Sequence, residues 1–498
     1  MILRLLAAAA AGAALAAAFA PLSLWWLAIL SPAVLFWLWQ GATPRHAALV
    51  GFSYGAGTFS VGTYWLYISV HQFGEAPLGV ALLLLIGLVA IMSLYFALLG
   101  QLVARLLPAR GVLRWLVGLP AAWGFIEWWR GWFLSGFGWL SLGYSQTDTW
   151  LAALAPIGGV PLLSGLLLLM AGALVTLLLG NARERGVAAA ALVVPWIAAF
   201  ALRGVEWTRP SGDPVSVAIV QGAIPQDQKW QADNRDATLE IYRKLNKQVL
   251  GSRLIVWPEA AAPDLANNIV PYLRQLAGDL GPAGSELLIG VLRAERAGTE
   301  RGSETQYFNS VLALGAEIGW YDKRHLVPFA EFFPVPGFVR SWLRMMSLPY
   351  SDFTHGAAQD VPLRAGGLSL AVTICYEDAY ATSQLPMLRA SDALVNVTND
   401  AWFGRSSARH QHLQISRLRA IESQRFLLRA ANDGISAVVD PRGRISARAP
   451  EFEASVLRAE IQPRRGQTPY MRTGNWPTIL LFCALVGLAA VARRRWRA

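Results

Sequence analysis

Three side chains of this 498-residue chain have types and settings suited to acyl chemistry: Cys375, Glu259 and Lys323. A thiol that attacks a carbonyl needs a base to ionise it and a donor for the oxyanion that forms. Cys375 follows the apolar run Leu368–Ile374, Glu259 follows Leu254–Trp257 through Pro258, and Asp400 follows Ala393–Val397 within Asn399-Asp400. Each run reads as a strand, and in an open α/β sheet the sites collect beyond the carboxyl ends of the strands. Histidine is the usual base in thiol enzymes, yet no His here follows a central strand in this way, whereas Glu259 does. Lys323 lies in the polar segment Gly319–Pro328, and the chain has 4 Lys (229, 244, 247 and 323) against 39 Arg. A lysine kept against that bias suggests a site that wants a compact ammonium rather than a planar fork. Taken singly, each residue also has a plain structural reading. Cys375 could be a core cysteine, Glu259 an acid at a helix start, and Lys323 and Glu331 surface charges.

The elements around these residues alternate. Val215–Gln221 reads as a strand, about 232–250 as a helix, Leu254–Trp257 as a strand, and the stretch after Glu259 through about 280 as a helix. Leu287–Leu292, Ser310–Leu314, Leu368–Ile374 and Ala393–Val397 read as further strands, with a helix at about 408–424. The runs are short and broken by Gly, Pro and charge, which is a soluble α/β pattern; the expectation is an open α/β sheet over residues 213–466. That stretch holds nearly all the acidic residues and four of the six His.

The rest of the chain is of another kind. Overall 54% of residues are hydrophobic and only 15% charged, with a mean hydropathy of +0.38; soluble domains carry about 25% charge. A helical span takes roughly 20 mostly apolar residues. Seven candidates precede the soluble stretch, at about 3–20, 22–39, 47–70, 78–104, 112–129, 159–180 and 187–203, and an eighth follows at about 476–492. The expected organisation is a membrane domain over 1–204, a soluble domain over 213–466, and a closing helix over 476–492 with a basic tail at 493–498.

Met1–Arg4 followed by an Ala/Leu core and Ala18-Phe19-Ala20 also resembles a signal peptide, but an uncleaved first helix makes the loop charges consistent. With the amino terminus in the cytoplasm, the inside loops carry Arg4, Arg45, Arg105, Arg110, Arg114, Arg183, Arg185 and the terminal Arg cluster. Arg130 is the one clear basic residue of the outside loops. This distribution obeys the positive-inside rule and sets the soluble domain outside the cytoplasm. The net charge of +11 then marks topology. Nucleic-acid binding, which wants basic and aromatic residues interleaved on one soluble face, is not expected. Only Cys375 and Cys483 are present, on different bodies, so no disulfide is expected.

Trp257-Pro258-Glu259, the run Tyr321–Pro328 with Glu331, and Ile374-Cys375-Tyr376-Glu377 together resemble the Glu-Lys-Cys signature of the nitrilase superfamily. With seven helices before that domain and one after it, the chain resembles the membrane-embedded N-acyltransferases of the superfamily, which finish bacterial lipoproteins. Gln221–Gln226 and Asn399–Gly404 fit the same pattern. The resemblance implies an αββα sandwich for the soluble domain and a bacterial inner-membrane location with the catalytic domain periplasmic. It implies transfer of an acyl chain from a phospholipid, through a Cys375 thioester, to the N-terminal amine of a diacylglyceryl-cysteine on an apolipoprotein. Glu259 would be the general base, Lys323 the oxyanion donor with the Tyr376 backbone N–H, and Glu331 the residue orienting Lys323. Trp230, Tyr376, Glu377 and Trp402 would shape the substrate site. No cofactor or metal is implied, and a monomer is expected among membrane lipids.

The same triad with water as acceptor would make a membrane-tethered amidase or nitrilase-like hydrolase. A transporter or receptor is disfavoured by the scarcity of ionisable residues inside the helices, and a tether needs only one helix. His410 and His412, spaced i, i+2, point to different helix faces and read as structural, and His325 as packing near the site. Asn396-Val397-Thr398 is a glycosylation sequon inside a buried strand, hence chance. The Trp-rich 123–150 stretch reads as an interfacial aromatic belt, with Trp128, Trp129, Trp132, Trp139 and Tyr144 as candidates to line a lipid path. Glu127 and Arg130, at its edge, read as snorkelling or mutually paired.

Overall fold

In the computed structural model, residues 1–296, 305–328, 330–332 and 353–495 are described, and they divide into two units. The helical unit comprises Met1–Trp207, Phe403–Ser423 and Gln467–Ala498; the sheet unit comprises Thr208–Trp402 and Gln424–Gly466.

Each apolar run of the helical unit forms helix: α1 (Ile2–Ala16), α2 (Leu27–Leu38), α3 (Pro44–Gly62), the single turn α4 (Trp65–Tyr67), α5 (Leu78–Leu106), α6 (Leu119–Arg130), α7 (Ala155–Leu179), α8 (Ala182–Leu202), and the C-terminal helix Trp476–Arg495. Among the described residues, four helices are long and apolar enough to cross a membrane: Leu78–Leu106, Trp150–Leu179, Ala182–Leu202 and Trp476–Arg494. Of the basic tail, the last three residues lie outside the described residues. Small residues let the helices approach closely. A Cβ on Gly12 of α1 would stand 2.0 Å from the Tyr54 carbonyl oxygen of α3, and one on Gly51 of α3 would stand 2.2 Å from that of Phe96 in α5.

The belt reading of the Trp-rich stretch needs correction. Trp123 and Trp139 are buried inside the unit, as is Tyr144, whereas Trp132 is exposed. Trp123 packs edge-on against Phe36, Tyr54 and Phe96 at 5.9, 5.7 and 5.1 Å, and Trp139 donates its indole N–H to Gln411 Oε1 at 2.6 Å. Glu127 and Arg130 do not snorkel, for both are buried. They tie down the loop that follows α6: Arg130 donates to the carbonyls of Phe137 (2.9 Å) and Trp139 (2.8 Å), and Glu127 accepts from Leu142 N–H at 3.1 Å.

The sheet unit opens with β1 (Thr208–Pro210) and β2 (Val215–Gln221), then the short helix α9 (Gln226–Lys229) and α10 (Arg235–Gln248). β3 (Leu254–Val256), β4 (Ala262–Leu265), α11 (Val270–Leu280), β5 (Glu286–Arg296), β6 (Thr305–Leu314) and β7 (Gly319–Asp322) follow. Next come β8 (Leu363–Ala365), β9 (Leu368–Ile374), β10 (Ala393–Thr398), β11 (Leu427–Ala431), β12 (Ala437–Val439), β13 (Ile445–Arg448), β14 (Ser455–Ile461) and β15 (Arg464–Gly466). The expected single open sheet is corrected to two mixed sheets, ordered β14-β2-β3-β5-β6-β7 and β13-β12-β11-β10-β9-β8. Each contains a parallel trio, β2-β3-β5 and β9-β10-β11, flanked by antiparallel strands. The helix expected directly after Glu259 is likewise preceded by β4, which pairs with β5.

Both trios are buried on both faces, as parallel strands are: β3 and β10 are buried along their whole length. Trp257, Ile255, Leu287, Ile289 and Leu276 share one core cluster with Tyr242. Asn396 and Thr398 are fully buried in β10, so the sequon is inaccessible. Cys375 and Cys483 are both free thiols.

Candidate active site

Glu259, Lys323, Cys375 and Asp400 all emerge just past strand ends: β3, β7, β9 and β10 respectively. The chain after β3 turns sharply. Ala260 has φ +45°, and Gly290 on β5 passes so close that a Cβ there would stand 2.2 Å from the Pro258 carbonyl oxygen. Ala261 N–H closes the turn onto the Gly290 carbonyl at 2.8 Å. Glu259 is thereby presented from a rigid backbone.

Its carboxylate is held on both oxygens. Oε2 accepts from the Asn399 backbone N–H at 2.9 Å; Oε1 accepts from Asn309 Nδ2 at 2.8 Å and lies 3.4 Å from Lys323 Nζ. Glu331 joins the same cluster: its Oε1 lies 2.9 Å from both Lys323 Nζ and Asn309 Nδ2, and its Oε2 accepts from Val327 N–H at 2.8 Å. Lys323 is 2% exposed and Glu259 8%, which rules out the surface reading of Lys323. Burial opposes the charge on Lys323, but Glu331 and then Glu259 outweigh it and hold the ammonium well above its ordinary range.

Cys375 is half-buried and sits in the left-handed region at φ +53°, a conformation that costs a non-glycine residue of order 1–3 kcal/mol and clusters at functional sites. Its charge neighbours are Glu259, Lys323 and Asp400. Burial pushes the thiol up strongly and Glu259 adds to this; Lys323 and the neighbouring Thr398 hydroxyl oppose it only in part. The resting group is therefore a thiol, and it needs a base at the moment of attack.

Glu377 is buried beneath the site and organises the strand ends around it. Its Oε1 accepts from the backbone N–H groups of Arg324 (2.7 Å) and His325 (3.1 Å), and its Oε2 from Ile374 N–H and Tyr321 OH, both at 2.9 Å. One carboxylate thus ties the residue after Lys323 to the residue before Cys375. Burial raises the Glu377 carboxyl, and the backbone donors counter that. His325 stacks on Tyr380 at 4.3 Å, and burial followed by Arg324 and His355 pushes it down to about 4. It is neutral and packs near the cluster, as the sequence suggested.

Trp230 and Trp402 are 47% and 38% exposed. Tyr376 packs edge-on against Tyr380 at 5.4 Å. His412 is fully buried and lies 5.8 Å from Trp139 within the helical unit. Among the described residues no group of His, Cys, Asp and Glu could hold a metal.

Two residues escaped the sequence reading. Asn309, in β6, bridges Glu259 and Glu331 with one amide. Lys229, at the end of α9, is fully buried and donates to the Glu259 carbonyl at 3.2 Å; burial lowers it to about 8 against the pull of Glu259 and Asp433. The scarcity of lysine that singled out Lys323 applied equally to Lys229.

Residues 11–173 match the family described as apolipoprotein N-acyltransferase N-terminal domain, and residues 216–470 the family described as carbon-nitrogen hydrolase. The apolipoprotein N-acyltransferase of Methylococcus capsulatus is 40% identical over 99% of this chain and 96% of its own length. That of Azotobacter vinelandii is 41% identical over 99% and 96%, and that of Chromobacterium violaceum 40% identical over 100% and 95%.

Proposed function

Starting from the chain's membership of the apolipoprotein N-acyltransferase family, we propose that Cys375, Glu259 and Lys323 carry an acyl transfer from a phospholipid to the free N-terminal amine of a diacylglyceryl-cysteine on an apolipoprotein. The observation that carries this reading is the convergence of Glu259, Lys323 and Cys375 at the strand ends of a carbon-nitrogen hydrolase domain.

In the first half reaction Glu259 takes the thiol proton as the Cys375 sulfur attacks the ester carbonyl. The oxyanion is met by the Lys323 ammonium and the Tyr376 backbone N–H. The tetrahedral species collapses to a thioester as Glu259 passes its proton to the departing oxygen, and the lysophospholipid leaves as an alcohol. In the second half the acceptor amine attacks the thioester, Glu259 takes its proton and returns it to the departing sulfur, and the amide leaves with the Cys375 thiol restored. Splitting the transfer lets two large lipids use one site in turn, in ping-pong order. Glu331 and Asn309 position Lys323 and Glu259, so that the ammonium is not free to neutralise the base. Trp230, Tyr376, Glu377 and Trp402 shape the surroundings; the exposed indoles suit acyl chains.

The protein belongs in a bacterial membrane. In the finer reading, eight helices cross it, seven within 1–204 and one at 476–492. The 213–466 domain, an αββα sandwich built on the two mixed sheets, then lies in the periplasm with both termini cytoplasmic. The arginine distribution supports that orientation. One chain supplies every group of the site, which suits a monomer needing no cofactor.

The test is chemical. Purified protein is given a phospholipid with a labelled acyl chain and a diacylated lipopeptide bearing a free amine. Labelled amide and lysophospholipid in equal amount are expected; labelled free fatty acid without amide would make the protein a hydrolase.

A further inference from the structure

Asp400 stands beyond its strand end as Glu259 and Cys375 do, yet the transfer scheme gives it no task. Its surroundings supply one. Arg429 on β11 is fully buried and lies opposite Asn396 of β10, which in turn lies opposite Thr373 of β9. The Arg429 guanidinium reaches Asp400 Oδ2 at 2.9 Å, Asp378 Oδ2 at 3.7 Å and Asn396 Oδ1 at 2.5 Å. Two hydrogen-bonded routes run from there to the nucleophile. In one, Asn396 Nδ2 donates to the Cys375 carbonyl at 3.1 Å and to Thr373 Oγ1 at 2.9 Å. In the other, Asp400 Oδ1 accepts from Thr398 Oγ1 at 3.0 Å; Val397 of β10 lies in register with Ile374 of β9, so Thr398 and Cys375 leave their strands side by side, and the Thr398 hydroxyl favours the ionised sulfur.

A threonine hydroxyl has one proton to give, so it cannot serve Asp400 and a thiolate together. While Cys375 is a thiol, the carboxylate is the better acceptor. Once Glu259 has taken the thiol proton, the sulfur becomes an anion and competes for the same hydroxyl. Asp400 can release it because Arg429 remains as its partner. Thr398 keeps its own proton throughout and changes only its acceptor. A Cβ on Gly434 would stand 2.7 Å from the Asp400 Cβ, so Asp400 is packed in place while the hydroxyl turns.

We propose that Thr398 is a positioning residue for the nucleophile: its hydroxyl turns from Asp400 to the Cys375 sulfur when the thiol ionises, and Arg429 holds Asp400 in both states. This rests on the reading of Cys375 as nucleophile. The charged groups facing the sulfur are Glu259, Lys323 and Asp400, with Arg429 and Asp378 behind Asp400.

The experiment is alkylation of the full-length protein in detergent by iodoacetamide between pH 7 and 10, read at Cys375 by peptide mass. Wild type, Thr398→Val and Thr398→Ser are compared. A hydrogen bond to a charged group is lost only in the valine variant, so its rate should fall about tenfold at each pH, which moves the rising limb up by about one pH unit. Serine should restore the rate to within about twofold of wild type. Equal rates in valine variant and wild type would overturn the proposal. So would a serine variant as slow as valine, since packing rather than the hydroxyl would then be at issue. Failure of wild-type Cys375 to alkylate at any pH would instead remove the nucleophile itself, and this inference with it.

Discussion

The Lys323 ammonium lies 2.9 Å from Glu331 but 3.4 Å from Glu259, so the lysine is held more closely by the carboxylate other than the proposed base. On the proposed reading, this division keeps the cation from occupying the oxygen that is to take the proton. Replacing Glu331 with Gln should let Lys323 settle on Glu259 and occupy its Oε1. The expected cost is on the order of a hundredfold in the rate of thioester formation, the scale of losing one preorganised electrostatic partner. Single-turnover labelling of Cys375 checks it, with little change in protein yield.

Glu377 accepts four hydrogen bonds on two oxygens. In Glu377→Gln, one acceptor oxygen becomes an NH2 facing backbone N–H groups, leaving buried donors unsatisfied at about 1–3 kcal/mol. We expect a lower Tm by thermal unfolding in detergent and slower thioester formation together, because the same carboxylate fixes the backbone on both sides of the site.

His325 is held near 4 by burial, then by Arg324 and His355, so it is neutral throughout pH 5.5 to 8. His325→Phe preserves the stack on Tyr380, and the backbone N–H to Glu377 is untouched. Activity should stay within about threefold of wild type, with no change in the shape of the pH profile. Disappearance of a limb near pH 6 would make the histidine a participant.

Lys229 is lowered to about 8, below the unfolded value of about 10.4. The folded state therefore binds fewer protons than the unfolded one between those values, and stability from this site rises with pH across that window. Below about 8 the buried charge is a burden. Against Lys229→Met, the wild-type Tm should gain steadily as pH is raised from 7 to 10.

The strand-end positions made much of the site readable. Glu259, Cys375 and Asp400 each follow an apolar run, and β2 and β9 occupy the residues expected of them. Asn309 was hidden because it lies within a strand, in Tyr307-Phe308-Asn309-Ser310, where nothing in the spacing separates a bridging amide from a pleat-facing one. The lysine bias marked two buried ammonium sites, Lys229 and Lys323, yet Lys244 and Lys247 lie exposed on α10. The bias alone could not sort them. The strand pattern alone did not separate the two sheets, because β11 to β13 are short and broken by Arg429, Arg442 and Arg444. Arg429 looks like a surface arginine until Asp400, Asp378 and Asn396 are brought around it. The aromatic belt failed for Trp123 because hydropathy records how apolar a helix is, not which side faces its neighbours, and for Trp139 because the loop after α6 folds inward onto Arg130 and Gln411.

The central claim is that Cys375 carries the acyl group between donor and acceptor. It is tested most directly by incubating the protein with acyl-labelled phospholipid alone, isolating the Cys375 peptide, and then adding the diacylated lipopeptide to the labelled protein. A hydroxylamine-sensitive label on Cys375 that moves to the lipopeptide amine, and that Cys375→Ala abolishes, is the predicted result. Undiminished labelling or transfer in Cys375→Ala would contradict it.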